Sequence, residues 1–251
     1  TRIIQRGSIS DNAAESGQAG RIQVISVEGT LLTEGSILEA RSSGQDGRGG
    51  DIRVNATQGN TEMRSGSQIN VSGGALSGDA GFIDLSAAEQ LGFHGQMIGI
   101  AAPGYQGGRV TFDPLDINIA NSGTQSVDGG NAPPGTPDEQ FTESPGAILT
   151  FDPRAGGAFN GFQEIYLQAT RDININSPWD LNASVGPTGI PSLILEAQRH
   201  IRVNQNLSTA NGNITLRANN DVALASNRSI TIAGTGSLNI TADADGNGSG
   251  F

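Results

Sequence analysis

The sequence predicts an all-β fold, a right-handed parallel β-helix with about three short strands per coil. Three observations carry the prediction. Apolar residues fall at every second place in short bursts, as in "GNITLRANNDVALASNRSITIAG" from Gly212. Such alternation is the signature of a half-buried strand. The bursts recur as a phrase every 21 to 31 residues along most of the chain, a period that belongs to stacked repeats. Glycine supplies 37 of the 251 residues, about twice the usual share, as expected where many strands are joined by tight turns.

In the first half the recurring phrase is "GRIQV" at Gly20, "GDIRV" at Gly50, "GFIDL" at Gly81 and "GRVTF" at Gly108, spaced 30, 31 and 27 residues apart. Between these lie "GTLLT", "SILEA", "SQINV" and "QMIGIA", which bring the count to roughly three strands per repeat. The pattern breaks once. "TFDP" occurs at Thr111 and again at Thr150, and the Gly-, Pro- and Ser-rich stretch from Asn121 to Gly146 between them shows no alternation. It reads as a long loop inserted at one corner of the coil. The organisation expected is therefore coils over 1–120, an insertion over 121–146, the same solenoid resumed over 147–243, and a flexible acidic, Gly-rich tail over 244–251.

The second half carries its own phrase. "IYLQATRDINI" from Ile165, "LILEAQRHIRV" from Leu193 and "ITLRANNDVAL" from Ile214 align without gaps, 28 and 21 residues apart, and "LNITAD" opens a fourth unit at Leu238, 24 further on. A third burst follows each unit, at Leu181, at Leu207, and at Ile230 with Ile232. Alternation points Ile214, Leu216, Val222, Leu224, Ile230 and Ile232 inward. Polar pairs such as Asn219-Asn220 become corners that tolerate left-handed backbone geometry. At an inter-strand spacing of about 4.8 Å, some nine or ten coils would make a rod of about 45 Å. No coil of such a stack buries its core alone.

Composition narrows the chemistry. The formal net charge is −11, which argues against a nucleic-acid binder, since such a protein must neutralise phosphates. All fourteen basic residues are Arg, which removes Schiff-base and P-loop chemistry. With no Cys there are no disulfides, thiol nucleophiles or thiolate-bound metals. No apolar run approaches the roughly 20 residues of a transmembrane helix. The chain opens at Thr1 rather than Met and reads as a processed chain or a piece of a longer one.

The phrases "GNITLRANNDVAL", "IYLQATRDININ", "LDINIANSG" and "GGDIRVNA" with "GSQINVSGG" resemble the repeats of filamentous-haemagglutinin-type exoproteins, the large passengers of bacterial two-partner secretion systems. The likeness spans about residues 7–243 apart from the insertion, and lies in repeat texture rather than in a catalytic motif. The Asn-Pro pair that marks the secretion domain of that family is absent, so the resemblance implies a stretch downstream of it. It further implies a right-handed β-helix, export through an outer-membrane transporter, a secreted or cell-surface location, and a part in adhesion, haemagglutination or biofilm formation. The partners it implies are glycans or surface proteins of host or neighbouring cells.

Candidate sites are few. Asp243, Asp245 and Asn247, followed by Gly248, match the opening of a calcium-binding loop, where oxygen ligands on alternate residues suit a hard cation. A flexible acidic tail is the plainer reading. His94 and His200 lie in different coils, which disfavours a zinc site, and His200 takes the repeat position held by Asp172 and Asp221. Three acidic pairs, Asp138/Glu139, Asp113/Asp116 and Asp51/Glu62, are imaginable as hydrolytic carboxylates, yet none recurs with a basic partner. The eight N-x-S/T triplets, at Asn55, Asn70, Asn182, Asn206, Asn213, Asn227, Asn239 and Asn247, read as stacked corner Asn residues. Trp179, Tyr105, Tyr166 and Phe141 are candidates for a sugar-stacking platform. The insertion, with Asp138, Glu139 and Phe141, is the expected recognition element, because loops on a rigid scaffold concentrate function.

The sequence thus reads as a non-catalytic structural and adhesive rod segment, with no cofactor required and calcium the one candidate. Two alternatives stay open: a matrix or filament subunit stacking end to end with other copies, and a β-helical carbohydrate-active enzyme.

Overall fold

A burst that alternates at period two buries one row of side chains and exposes the other. Bursts stacked in register complete each other's backbone hydrogen bonds. The computed structural model resolves this into a parallel β-helix of about seven turns, described over residues 1–89, 91–120, 148–151, 158–186 and 191–248. Three sides run the length of the stack. One, here called the principal sheet, has eight strands: Arg21–Ser26, Asp51–Ala56, Phe82–Ala87, Gly108–Asp113, Phe162–Ala169, Ser192–Ala197, Ile214–Ala218 and Leu238–Thr241. A second sheet has nine strands, from Arg2–Gln5 to Val222–Leu224, and the third side is divided into sheets of five and three strands.

The recurring phrases are the rungs of the principal sheet. Ile22, Ile52, Ile83, Val110, Ile165, Leu193 and Ile214 lie over one another in register. So do Val24, Val54, Leu85, Phe112, Leu167, Leu195 and Leu216. These two inner rows are buried and belong to one continuous core running from Ala19 to Ala218. At the turn out of the sheet the inner position is small: Ser26, Ala56 and Ala87 early, Ala169, Ala197 and Ala218 late. Small stacks on small at this position, as close packing of neighbouring rungs requires.

Several expectations are corrected. The stack has about seven turns rather than nine or ten, because the early coils take about 30 residues each: Arg21 pairs with Asp51, and Asp51 with Phe82. In the third burst of "WDLNA" it is Trp179, not Leu181, that lies over Leu207; Leu181 opens a five-residue helix, Leu181–Val185, capped by the Asp180 carboxylate. Among the described non-glycine residues, left-handed backbone falls at Asn227 (φ 59°) and Asp243 (φ 50°), not at Asn219-Asn220. Inward orientation does not bury the last rungs. Leu224 is 49% exposed, Leu238 41% and Ile240 52%, because no described rung stacks beyond them.

The two "TFDP" phrases are not equivalent. Thr111 and Phe112 belong to the principal sheet, whereas Thr150 and Phe151 belong to the nine-stranded one. There Ile148–Phe151 is wedged between Leu91–Phe93 and Asp116–Ile119, parallel to both, so the chain re-enters one rung behind the strand it left. This additional rung accounts for nine strands facing eight. Beside it the core widens and is filled by rings: Phe93, Phe112 and Phe159 have centroids 5.6, 5.4 and 5.9 Å apart. The third side also changes sheets here, and Trp179 closes the gap with its indole N–H donating to Ser184 Oγ at 2.9 Å.

Candidate functional site

Outward side chains of the principal sheet form three rows, each set by the register of the inner ones. The first runs Arg21, Asp51, Phe82, Arg109, Glu164; the second Gln23, Arg53, Asp84, Thr111, Tyr166; the third Asn55, Ser86, Asp113, Gln168, Glu196, Arg217. Charges of opposite sign sit on neighbouring rungs. Arg21 meets Asp51 at 3.0 Å, Arg53 meets Asp84 at 2.8 Å and Arg109 meets Glu164 at 2.8 Å.

One patch at mid-rod departs from this balance. Asp84 and Asp113 are diagonal neighbours on adjacent rungs. Burial pushes the Asp84 carboxyl above its ordinary value despite the Arg53 guanidinium, which acts in the opposite sense. Burial also raises Asp113, and the charge of Asp84 adds to it. Tyr166 donates its hydroxyl to Glu196 at 2.5 Å. Burial first, then that hydrogen bond and the nearby carboxylates, push the phenol up to about 12, so it stays a donor throughout the working pH range.

A second arrangement occupies the corner between the principal and nine-stranded sheets, and it explains the "TRD", "QRH", "NND" positions of the repeat. Asp116 accepts from the Arg171 guanidinium and from the Asp172 backbone N–H. One coil on, Asp172 accepts from Arg199 at 2.9 Å, Arg202 at 3.1 Å and the His200 backbone N–H at 3.2 Å. His200 Nδ1 then lies 3.0 Å from Asp221. Burial alone would raise Asp172, but the hydrogen bond from Arg202 and the two guanidiniums outweigh it and hold its carboxyl below the ordinary value. Asn residues do the same work without charge. Asn118, Asn176 and Asn204 form a side-chain ladder, while Asn206 and Asn213 accept from the backbone N–H groups of Ser229 and Ser237 one coil on.

A third feature is concave. Where the wide corner of the early coils meets the principal sheet, a cleft of about 210 Å³ opens over Phe82. Its rim stacks Gln18, Arg48, Asp79 and Gln106 through backbone pairing from coil to coil, and its floor is the Asp51, Phe82, Arg109 stretch of the first row.

The residues singled out from sequence are dispersed. Asp113 ends a principal-sheet strand, while Asp116 lies on the nine-stranded sheet against Arg171. Asp51 pairs with Arg21, whereas Glu62 is buried on another sheet beside Arg64. In each of these two acidic pairs the members therefore belong to different sheets. Trp179 is 1% exposed and cannot be a sugar platform. Tyr105 is exposed, and Tyr166 is engaged by Glu196. His94 is half-buried at a corner, where burial lowers its imidazole below the ordinary value. Asp138, Glu139 and Phe141, with the rest of the 121–146 insertion, lie outside the described residues. Asp243 and Asp245 spend carboxylate oxygens on their own turn, accepting from the N–H groups of Gly248 and Asn247. Among the described residues no group of three or more His, Cys, Asp or Glu is disposed to hold a metal.

Neither the Phe82 cleft nor the Asp84/Asp113 patch is announced by a motif in the sequence. The signal was available: aligning "GDIRV", "GFIDL" and "GRVTF" puts Asp51, Phe82 and Arg109 in one outward row, and only the corner geometry was missing.

Fold and surface together define a class, a parallel β-solenoid whose coils are tied to each other by outward ladders. No family model matches the chain, and no curated protein or solved structure matches it.

Proposed function

We propose that the chain is a non-catalytic structural and adhesive rod segment of a large secreted or cell-surface bacterial exoprotein, of the filamentous-haemagglutinin kind that its repeats resemble. The observation that supports this most is the division of labour in each coil. Inner positions form one continuous aliphatic core, while most outward charges and amides are spent on the next coil, as in the Asp116, Asp172, His200, Asp221 series. Such a surface holds a long object together and leaves its wider corners free for contact. Beads coated with the chain should adhere to cells bearing surface glycans, where beads coated with an unrelated acidic protein do not. Equal adhesion of both would remove the adhesive part of the reading.

A carbohydrate-active enzyme is the second reading, supported by Asp84 and Asp113. In-register strands about 4.8 Å apart with a rise of about 3.3 Å per residue place their α-carbons about 8 Å apart, and both carboxyls are raised. An inverting glycosidase holds its two carboxyl groups about 6.5–9.5 Å apart, one of them protonated, a separation within reach of side chains on α-carbons so placed. Turnover of a polysaccharide that is lost in both Asp84→Asn and Asp113→Asn would replace the adhesive reading with this one.

A further inference from the structure

We infer that the cleft over Phe82 is a binding site for a neutral saccharide unit, with the sugar stacked on the Phe82 ring. This rests on the adhesive reading and gives it a location. The first argument is the ring itself. Phe93, Phe112, Phe159, Phe162 and Trp179 are all buried in the core, as large apolar rings ordinarily are. Phe82 instead points outward and is only half-buried. Its rung partners are Asp51 and Arg109, so the fold gains little from a ring at this place. A half-exposed aromatic face flanked by polar groups suits a ligand that is apolar on one side and hydroxylated at its edge, as a pyranose is.

The lining supplies that edge. Arg48 and Asp79 meet at 2.9 Å, and the Asp79 carboxylate also accepts from the Gln106 backbone N–H at 2.9 Å. Both groups are thereby oriented before a ligand arrives, which lowers the cost of binding. The side-chain amides of Gln18 and Gln106 make no hydrogen bond to the described residues and are exposed on the rim. An amide offers a donor and an acceptor together, which matches vicinal hydroxyls. Charge decides the class of sugar. Arg48 and Arg109 are offset by Asp79 and Asp51 in the same cleft, and the chain as a whole carries a net charge of −11. A polyanionic glycan is disfavoured on both counts.

The cleft also has a direction. Rim and floor rows run parallel to the rod, one residue per coil, so groups repeat at about 4.8 Å, close to the advance of one sugar along an extended glycan. A cleft of about 210 Å³ takes one ring at Phe82 with its neighbours lying along the rows.

The test uses the full chain immobilised on a sensor surface, with dextran, mannan and galactan as neutral probes and heparin as the anionic one. Saturable binding of at least one neutral probe is expected, weakened about tenfold or more by Phe82→Ala, the equivalent of about 1.4 kcal/mol, and retained by Phe82→Trp. Because Phe82 is outside the core, the circular dichroism and melting temperature of the Ala variant should match the parent. Gln106→Ala, which removes an unengaged amide, should weaken binding without touching the fold and guards against a folding artefact. Neutral-glycan binding that survives both Phe82→Ala and Gln106→Ala would overturn the cleft while leaving the adhesive reading intact. Binding of heparin alone, or of no neutral probe, would also overturn it, and bead adhesion to cells then judges the adhesive reading separately.

Discussion

The early and late coils share an interior and differ at one corner. Between the third side and the principal sheet the early coils spend residues 40–50, 71–81 and 99–107, whereas the last two coils spend only 210–213 and 233–237. Inside, the same two rows run through both halves, from Ile22 and Val24 to Ile214 and Leu216. The crossing into the principal strand is also constrained alike. A Cβ on Gly81 would come within 1.9 Å of the Gly50 carbonyl oxygen, and one on Gly236 within 2.0 Å of that of Gly212. The interior and this tight crossing define the stack, and the corner is free to vary. The cleft over Phe82 lies in the early coils, where this corner is wide.

If the interior is common to both halves, breaking it should hurt both alike. Leu85→Ala and Leu195→Ala truncate the same inner row in different halves, and each should cost about 2–5 kcal/mol, measured by thermal or denaturant unfolding. A large loss at one site and a slight one at the other would show that the halves are stabilised independently. Gly81→Ala should also destabilise strongly, because backbone rather than a movable side chain occupies the space. An Ala at Gly104, where nothing lies within 4 Å, pays only for its φ of +86° and should cost about 1–2 kcal/mol.

The core was the legible part of the sequence, and the reason is physical. Alternation fixes which side chains point inward, and ungapped phrases fix the register, so Ile165, Leu193 and Ile214 are found stacked as the alignment requires. Corners carry no such period. Whether residues 71–81 make a wide shelf or a tight turn depends on coil-to-coil bonds such as Gly49 N–H to the Asp79 carbonyl, which no local pattern announces. The strand Ile148–Phe151 shows a different limit. Its "TFDP" phrase copied an earlier one and still joined another sheet, since short identical strings do not determine which edge they meet. Trp179 reads from sequence as a candidate platform because a lone Trp among polar residues looks exposed until its rung partner Leu207 is known.

Smaller effects should separate the corner ladder from the mid-rod patch, and pH makes their signs opposite. The Asp172 carboxyl is held below its ordinary value by Arg199 and Arg202, so the folded state favours its ionised form. That stabilisation is present above the ordinary carboxylate range and is lost as pH falls through the folded value. Asp172→Asn should therefore lower the melting temperature at pH 7 by a few degrees, with the deficit closing in acid. Asp113 is displaced the other way, by burial and by Asp84, so the folded state favours its protonated form. Its contribution is present below the ordinary value and disappears as pH rises through the folded one. Asp113→Asn should accordingly raise the melting temperature at pH 7, by about 1–2 °C given its exposure to solvent, and leave it unchanged near pH 3. Melting curves of the two variants against the parent across this range decide the matter. Displacement in the same direction at pH 7 would mean that the two carboxylates do not differ as their surroundings require. A stabilised Asp113→Asn that also kept full adhesion would mark the mid-rod charge as dispensable to the rod. Loss of adhesion from the stabilised variant would instead mark Asp113 as a group kept for contact at a cost to the fold.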